Sequence, residues 1–252
     1  MTTLALAEQF ESIQNETVAP WVSQRYRLEK TPAILNALTN LGWSLVSIRG
    51  SKRNPYAPHT LAFANGKRKM TTGEIFTPVV YVQNGHDGKT TLKFRVGFYN
   101  DLGQSFMADE EIFGFSVRHY KKALEYAEDF INSANLEEKL EQMFLTVEKM
   151  IVRTVNPEER NRFVRGALIV RWTDPDKKRR VHNIDPDSVS KATNLFTLYS
   201  DMLLCMVGGG EYKMSKNGQL VKFKVRGVRS SVAEAKYKER LWTWTQKFME
   251  RS

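Results

Sequence analysis

The chain has 252 residues, 41% hydrophobic and 26% charged, a globular composition that excludes disordered and fibrous classes. It carries 38 Lys and Arg against 28 Asp and Glu, a net charge of +10, and one cysteine, which excludes a disulfide framework and a cysteine-rich zinc site. The opening MTTLALAEQFESIQNE places acidic residues where a secretory leader needs a basic flank, and no apolar run approaches the ~20 residues of a membrane span, so a cytoplasmic chain with no membrane partner is expected.

In chain order, TPAILNALTNLG (31–42) reads as a short helix. Thr31 is the cap, Pro32 lies in the first turn, Ile34, Leu35, Leu38 and Leu41 form one face, and Gly42 is the stop. WSLVSIRG follows as a strand running into a basic turn, and HTLAFA as a second strand closed by Asn65-Gly66. GKRKMTTGE is expected to be an exposed basic loop. Residues 76–83 and 90–99 read as a third and fourth strand; in the latter, Leu92, Phe94 and Val96 alternate with Lys93 and Arg95. From Ser116 to Val152 the apolar spacing turns helical, through Leu136, Leu140, Met143, Phe144, Val147, Met150 and Ile151, and Asn156-Pro157 breaks it. GALIVRWTD is a strand or a helix end. SVSKATNLFTLYSDMLLCMV reads as a helix stopped by Gly208-Gly209-Gly210, and QLVKFKVRGVR as an alternating strand. A terminal amphipathic helix carries Tyr237, Leu241, Trp244 and Phe248 on one face. The pattern predicts an α+β fold: an antiparallel β-meander backed by a long helix, with a C-terminal β-hairpin and helix. It reads as one domain over 1–252, with a possible subdivision into 1–115 and 116–252.

Between the third and fourth strands lies Asn84-Gly85-His86-Asp87-Gly88. Asn-Gly and Asp-Gly steps supply positive-φ positions, and an Asp bonds the amides after it, so the segment reads as a turn. The competing reading is a metal site of His86, Asp87 and His119, for which no His-x3-His spacing or carboxylate cluster is present. VQNGHDGKTTLKFRVGFYND, with Gly97-Phe98 and Arg118-His119 after it, resembles the Asn-Ser-His-Asp-Gly segment of a family of phage- and plasmid-encoded proteins of unknown function. NLFTLYSDMLLCMVGGGEY and the terminal RLWTW are similar to that family's C-terminal helix, Gly-Gly and Leu-Trp, so the resemblance runs over roughly residues 76–250. Gly85 stands where the family has a small hydroxyl residue, and FYNDLGQSF lacks its Cys-x-Asn-Gly step. The resemblance implies a mobile-element origin and no reaction.

Charge is segregated along the chain. Residues 51–100 hold eight Lys and Arg against two Asp and Glu, residues 101–150 five against eleven, and residues 206–252 eleven against four. Separated basic segments are the footprint of a polyanion-binding surface. The expected nucleic-acid contacts are Lys52, Arg53, Lys67, Arg68, Lys69, Lys93, Arg95 and Tyr99 in the first basic segment. In the second they are Lys213, Lys222, Lys224, Arg226 and Arg229. Alternation sets successive basic side chains about 7 Å apart on one sheet face, close to the phosphate pitch of a single strand, and Tyr56, Phe98, Tyr99 and Tyr212 are available to stack on bases.

Catalytic signatures are absent: Cys205 sits in the apolar run DMLLCMV, the four histidines are scattered, and VGGGEY follows a helix where a phosphate cradle precedes one. No catalytic residue and no cofactor are therefore expected. The expected function is non-catalytic binding of single-stranded nucleic acid, DNA favoured, in phage or plasmid recombination or strand annealing, with homo-oligomers formed by the acidic block meeting a neighbour's basic C-terminus. By fold-level analogy the element order is similar to that of phage single-strand annealing proteins. Two alternatives stand beside it: a phage effector that binds a host defence or replication protein, and a metal-dependent nuclease recruiting Glu110 and Glu111 to His86, Asp87 and His119.

Overall fold

The computed structural model describes residues 7, 9–24, 26, 30–108, 114–117, 134–172 and 183–251, with 114–117 and 134–135 described by backbone alone. The architecture is mixed α+β. Two compact units divide the chain, residues 1–144 and 145–252.

In the first unit, α1 (Glu11–Gln14) and α2 (Thr31–Asn40) precede a meander of β1 (Ser44–Arg49), β2 (His59–Ala64), β3 (Arg68–Lys69), β4 (Ile75–Asn84), β5 (Leu92–Tyr99), β6 (Ser105–Met107) and β7 (Gly114–Val117). Every pairing is antiparallel. The order is β1-β2-β4-β5-β6, with β3 on the first residues of β4 and β7 on the first residues of β5. Directly opposed residues share a face. One face is therefore apolar: Phe63 opposes Val80, which opposes Val96, while Leu61, Val82 and Phe94 form the next row and Phe98 and Phe106 a third. All eight are fully buried. Phe144, from the first part of the long helix α3 (Ala134–Val152), lies on this face, 6.2 Å from the Phe76 ring and 5.8 Å from Phe98.

Local chemistry explains where the expected boundaries move. Thr31 begins α2, but its hydroxyl makes no cap; it bonds His59 Nε2 (2.8 Å) and accepts from Asn84 Nδ2 (3.0 Å). Gly42, at φ +82°, ends the helix as its sequence position demands. The stretch after Asn65-Gly66 is more than a loop, because Arg68 and Lys69 pair with Phe76 and Ile75. Residues 114–117 are the strand β7 paired with β5, so Ser116 and Val117 are not helical as expected, and helix is seen from Ala134 onward; residues 118–133 fall outside the described set.

Among its described residues the second unit is helical with one hairpin. α4 (Pro157–Arg171) starts at a capping box, Asn156 Oδ1 accepting from Glu159 N at 2.9 Å and Glu159 Oε2 from Asn156 N at 3.0 Å. GALIVR is the end of this helix and contains no strand. α5 (Pro186–Val189) is a single turn, and Asn194 caps α6 (Leu195–Leu203), whose last turn widens into a π-turn over Leu204–Gly208. The hairpin of β8 (Gly210–Lys216) and β9 (Gln219–Val225) follows, then α7 (Ser231–Glu250). Leu241 and Phe248 are buried as the helical spacing predicts, and Trp242, one step round the helix, is fully buried as well, 6.0 Å from Tyr199.

Candidate nucleic-acid interface

The β8–β9 hairpin is built from its turn outward. Asn217 (φ 52°) and Gly218 (φ 80°) both take the left-handed conformation, the two-residue turn whose twist matches the flanking strands. The register then pairs Lys213 with Lys222, Glu211 with Lys224 and Ser215 with Leu220 on one face, and Tyr212 with Phe223 and Met214 with Val221 on the other. The first face is exposed throughout; the second is half-buried. The ribbon is moored at its edge and base. Asp185 N donates to Lys213 O (2.9 Å), Ser215 N to Asn183 O (2.7 Å) and Val228 N to Val207 O (2.8 Å), and the Arg171 guanidinium donates to both Cys205 O (3.2 Å) and Arg226 O (2.6 Å).

Lys213, Lys222, Lys224, Arg226 and Arg229 are all exposed, and none of these five forms an ion pair with a described carboxylate. Lys213 and Lys222 stand directly opposite each other, a like-charge arrangement that disfavours the bare hairpin.

The first unit's cations separate into two groups. Lys52, Arg53, Lys67 and Lys69 are exposed. Arg68 is engaged by Glu141 and lies 4.9 Å from the Phe144 ring centroid, so it serves packing. Lys93 and Arg95 do share a face, but Arg95 is only 4% exposed and donates to Gln83 Oε1 (3.3 Å). The alternation that placed them on a solvated face overlooked what else stands there, Tyr81 opposite Arg95 and Gln83 opposite Lys93. Tyr99 is half-buried and packs edgewise on Tyr81, ring centroids 6.5 Å apart; burial pushes its pKa up. Phe98, fully buried, offers no face to a base. Tyr212 is half-buried, its hydroxyl donating to Gly209 O (3.3 Å).

The His86-Asp87 segment is a turn. Asp87 Oδ1 accepts from Lys89 N (2.9 Å) and Thr90 N (2.7 Å), its Oδ2 accepts from Thr90 Oγ1 (3.1 Å), and Gly88 sits at φ +73°. His86 points away from solvent, fully buried, with its ring 5.5 Å from that of His59. Burial holds both imidazoles below their ordinary pKa, His59 down to about 4. Among the described residues no three His, Cys, Asp or Glu come together as metal ligands; His119, Glu110 and Glu111 lie outside them. Cys205 is buried and its thiol is pushed up to about 11 by burial.

Trp21 escapes the periodicity argument because it stands in APWVS, a stretch with neither helical nor strand spacing. It is 68% exposed and packs edge-on with Tyr56, centroids 5.6 Å apart. Its one sequence signal is a large aromatic directly after a proline in a turn.

Comparison with protein-family models, with curated proteins and with solved structures finds no match to this chain.

Proposed function

We propose that the chain is a phage- or plasmid-encoded protein that binds single-stranded nucleic acid, DNA favoured, chiefly through the β8–β9 hairpin. The observation that carries the reading is the opposed pair Lys213 and Lys222, both exposed and, among the described residues, without an ion pair, with Lys224 beside them opposite Glu211. Like charges directly opposite on a two-stranded ribbon, itself a marginal element, work against folding by a few tenths of a kcal/mol to about 1 kcal/mol. A polyanion turns that cost into attraction, because each phosphate neutralised also releases a condensed counterion.

Helix α6 precedes the hairpin in the order used by modules that lay a helix in a duplex groove and a ribbon beside it. Here most of LFTLYSDML is buried, which leaves Thr197 alone among its residues exposed to reach a base edge. The hairpin is thus left to track a backbone without groove readout, which favours an unpaired strand. Self-association of the protein along that strand belongs to the same reading.

Anisotropy of a labelled 20-nucleotide strand, titrated at two salt concentrations with a duplex of the same sequence in parallel, tests it. Four phosphate contacts predict about 50-fold weaker single-strand binding at 200 than at 50 mM salt. Binding that ignores salt, or no binding, removes the proposal.

A further inference from the structure

We infer that Trp21 and Tyr56 form a stacking site for an unpaired nucleobase, with Lys52 and Arg53 placed to take the neighbouring phosphates. The inference rests on the nucleic-acid reading above and adds to the hairpin a second contact, in the first unit. Of the five tryptophans, Trp43 and Trp242 are buried and Trp172 and Trp244 half-buried, whereas Trp21 is 68% exposed. A lone exposed aromatic calls for no explanation. This one is held on a braced turn against a second aromatic.

The bracing comes from the Asn84–Gly88 segment. Ala19 N donates to His86 O (2.9 Å), Val22 N donates to Ala19 O (3.0 Å), and Val22 fills the space that a side chain at Gly88 would need. The turn thus braces Trp21. Tyr56 is fixed independently: Ser51 Oγ accepts from Arg53 N (3.2 Å) and Asn54 N (2.8 Å), Asn54 Oδ1 from Tyr56 N (3.0 Å), and Pro55 O from Asn15 Nδ2 (3.1 Å). The two rings meet at 71°, so ring surface stays open while the pair is pre-ordered.

Charge selects the occupant. Arg53 and Lys52, three and four residues before Tyr56, and Lys89, next to the Gly88 against which Val22 packs, are exposed, and among the described residues none of the three is ion-paired; Lys52 Nζ rests 5.5 Å from the Phe10 ring centroid. Two carboxylates of these segments are already committed, Asp87 to its own turn and Glu16 to Lys30 at 2.6 Å. An aromatic pair flanked by cations suits a stacked base between two phosphates.

The test uses intrinsic tryptophan fluorescence of the full chain, titrated with oligo(dT) and with an abasic oligomer of the same length. Oligo(dT) is expected to quench, the abasic strand not, and Trp21→Phe to abolish most of the quench. Trp21→Ala is expected to weaken oligo(dT) roughly 5- to 100-fold, as for other base-stacking aromatics, while leaving affinity for the abasic strand unchanged. If anisotropy shows salt-dependent oligo(dT) binding but Trp21→Ala binds as tightly as the parent, the stacking site is wrong and the hairpin reading survives. If the parent binds neither strand, both fall together.

Discussion

His59 and His86 lie side by side in the first unit, ring centroids 5.5 Å apart and both without solvent exposure. His59 Nδ1 faces Ala57 O (3.3 Å) and its Nε2 faces the Thr31 hydroxyl (2.8 Å). A neutral ring protonated on Nδ1 satisfies both, donating to Ala57 and accepting from Thr31. A second proton on His59 displaces the Thr31 donor and places a cation beside His86.

This pair makes the fold acid-sensitive. Burial holds His59 near 4 in the folded state against 6.5 for a solvated imidazole, and burial lowers His86 too, against the opposing pull of the Thr17 backbone and of Asp87. With the folded pKa depressed, the unfolded chain takes up protons first. Stability is therefore full above about pH 6.5 and is lost as pH falls toward 4, with about 2 kcal/mol gone by pH 5 from His59 alone. Urea midpoints at pH 7.5, 6 and 5 measure it in a window where solvated carboxylates stay ionised. His59→Gln is expected to flatten the dependence, and a midpoint that stays level from pH 7.5 to 5 in the parent contradicts the assignment.

Gly166 sets the approach of α4 to α7. A methyl group there would overlap the six-membered ring of Trp244, whose indole N–H is fixed by donation to Phe163 O (3.2 Å). In a helix interior, Gly→Ala ordinarily gains about 1 kcal/mol; here overpacking of about 1–3 kcal/mol opposes it. Gly166→Ala is expected to lower stability, by up to about 2 kcal/mol. Made on top of Trp244→Leu, it should instead raise stability. The sign reversal, read from denaturant midpoints, is the check.

The meander, the long helix, the terminal hairpin and the last helix were legible because each rests on a local period: alternation in β5 and β9, three- and four-residue spacing in α3 and α7. The turn at Asp87 was legible for the same reason, since an Asx turn is made within four residues. What sequence could not supply was the environment of a face. Lys93 and Arg95 alternate with apolar residues much as Lys222 and Lys224 do, yet Arg95 is buried beside Gln83 while Lys222 is exposed. The difference lies in the neighbouring strand, which no local window contains. Trp21 was missed because an exposed aromatic in a turn follows no packing period.

Arg171 closes the base of the hairpin. The π-turn leaves carbonyls at a helix end without backbone partners, and a cation there is favoured. Arg171 meets Cys205 O and Arg226 O together, with its guanidinium 4.3 Å from the Trp172 ring centroid and 5.7 Å from that of Tyr237. Arg171→Met keeps the stem and loses both bonds, at an expected cost of about 2 kcal/mol. It should also open a route to Cys205, whose burial and raised pKa make it inert in the parent. Thiol labelling under native conditions reports this directly. Equal labelling rates for parent and variant would show that the Arg171 bridge does not guard the site.

Lys222→Glu separates function from stability in opposite directions. In the parent, Lys222 opposes Lys213. The variant sets a carboxylate against that lysine, exchanging cross-strand repulsion for attraction, and should raise stability by a few tenths of a kcal/mol to about 1 kcal/mol. On the nucleic-acid side it removes one phosphate contact and adds a repulsive charge. The expected result is at least tenfold weaker oligonucleotide binding at low salt and a salt slope shallower by about 0.7 or more. A surface lysine that served only solubility would show neither the gain nor the loss. A variant that is more stable yet binds the strand undiminished leaves the hairpin a solvated ribbon with no role in binding, whereas a variant that loses both shows that Lys222 holds the fold by some contact other than the one opposite it.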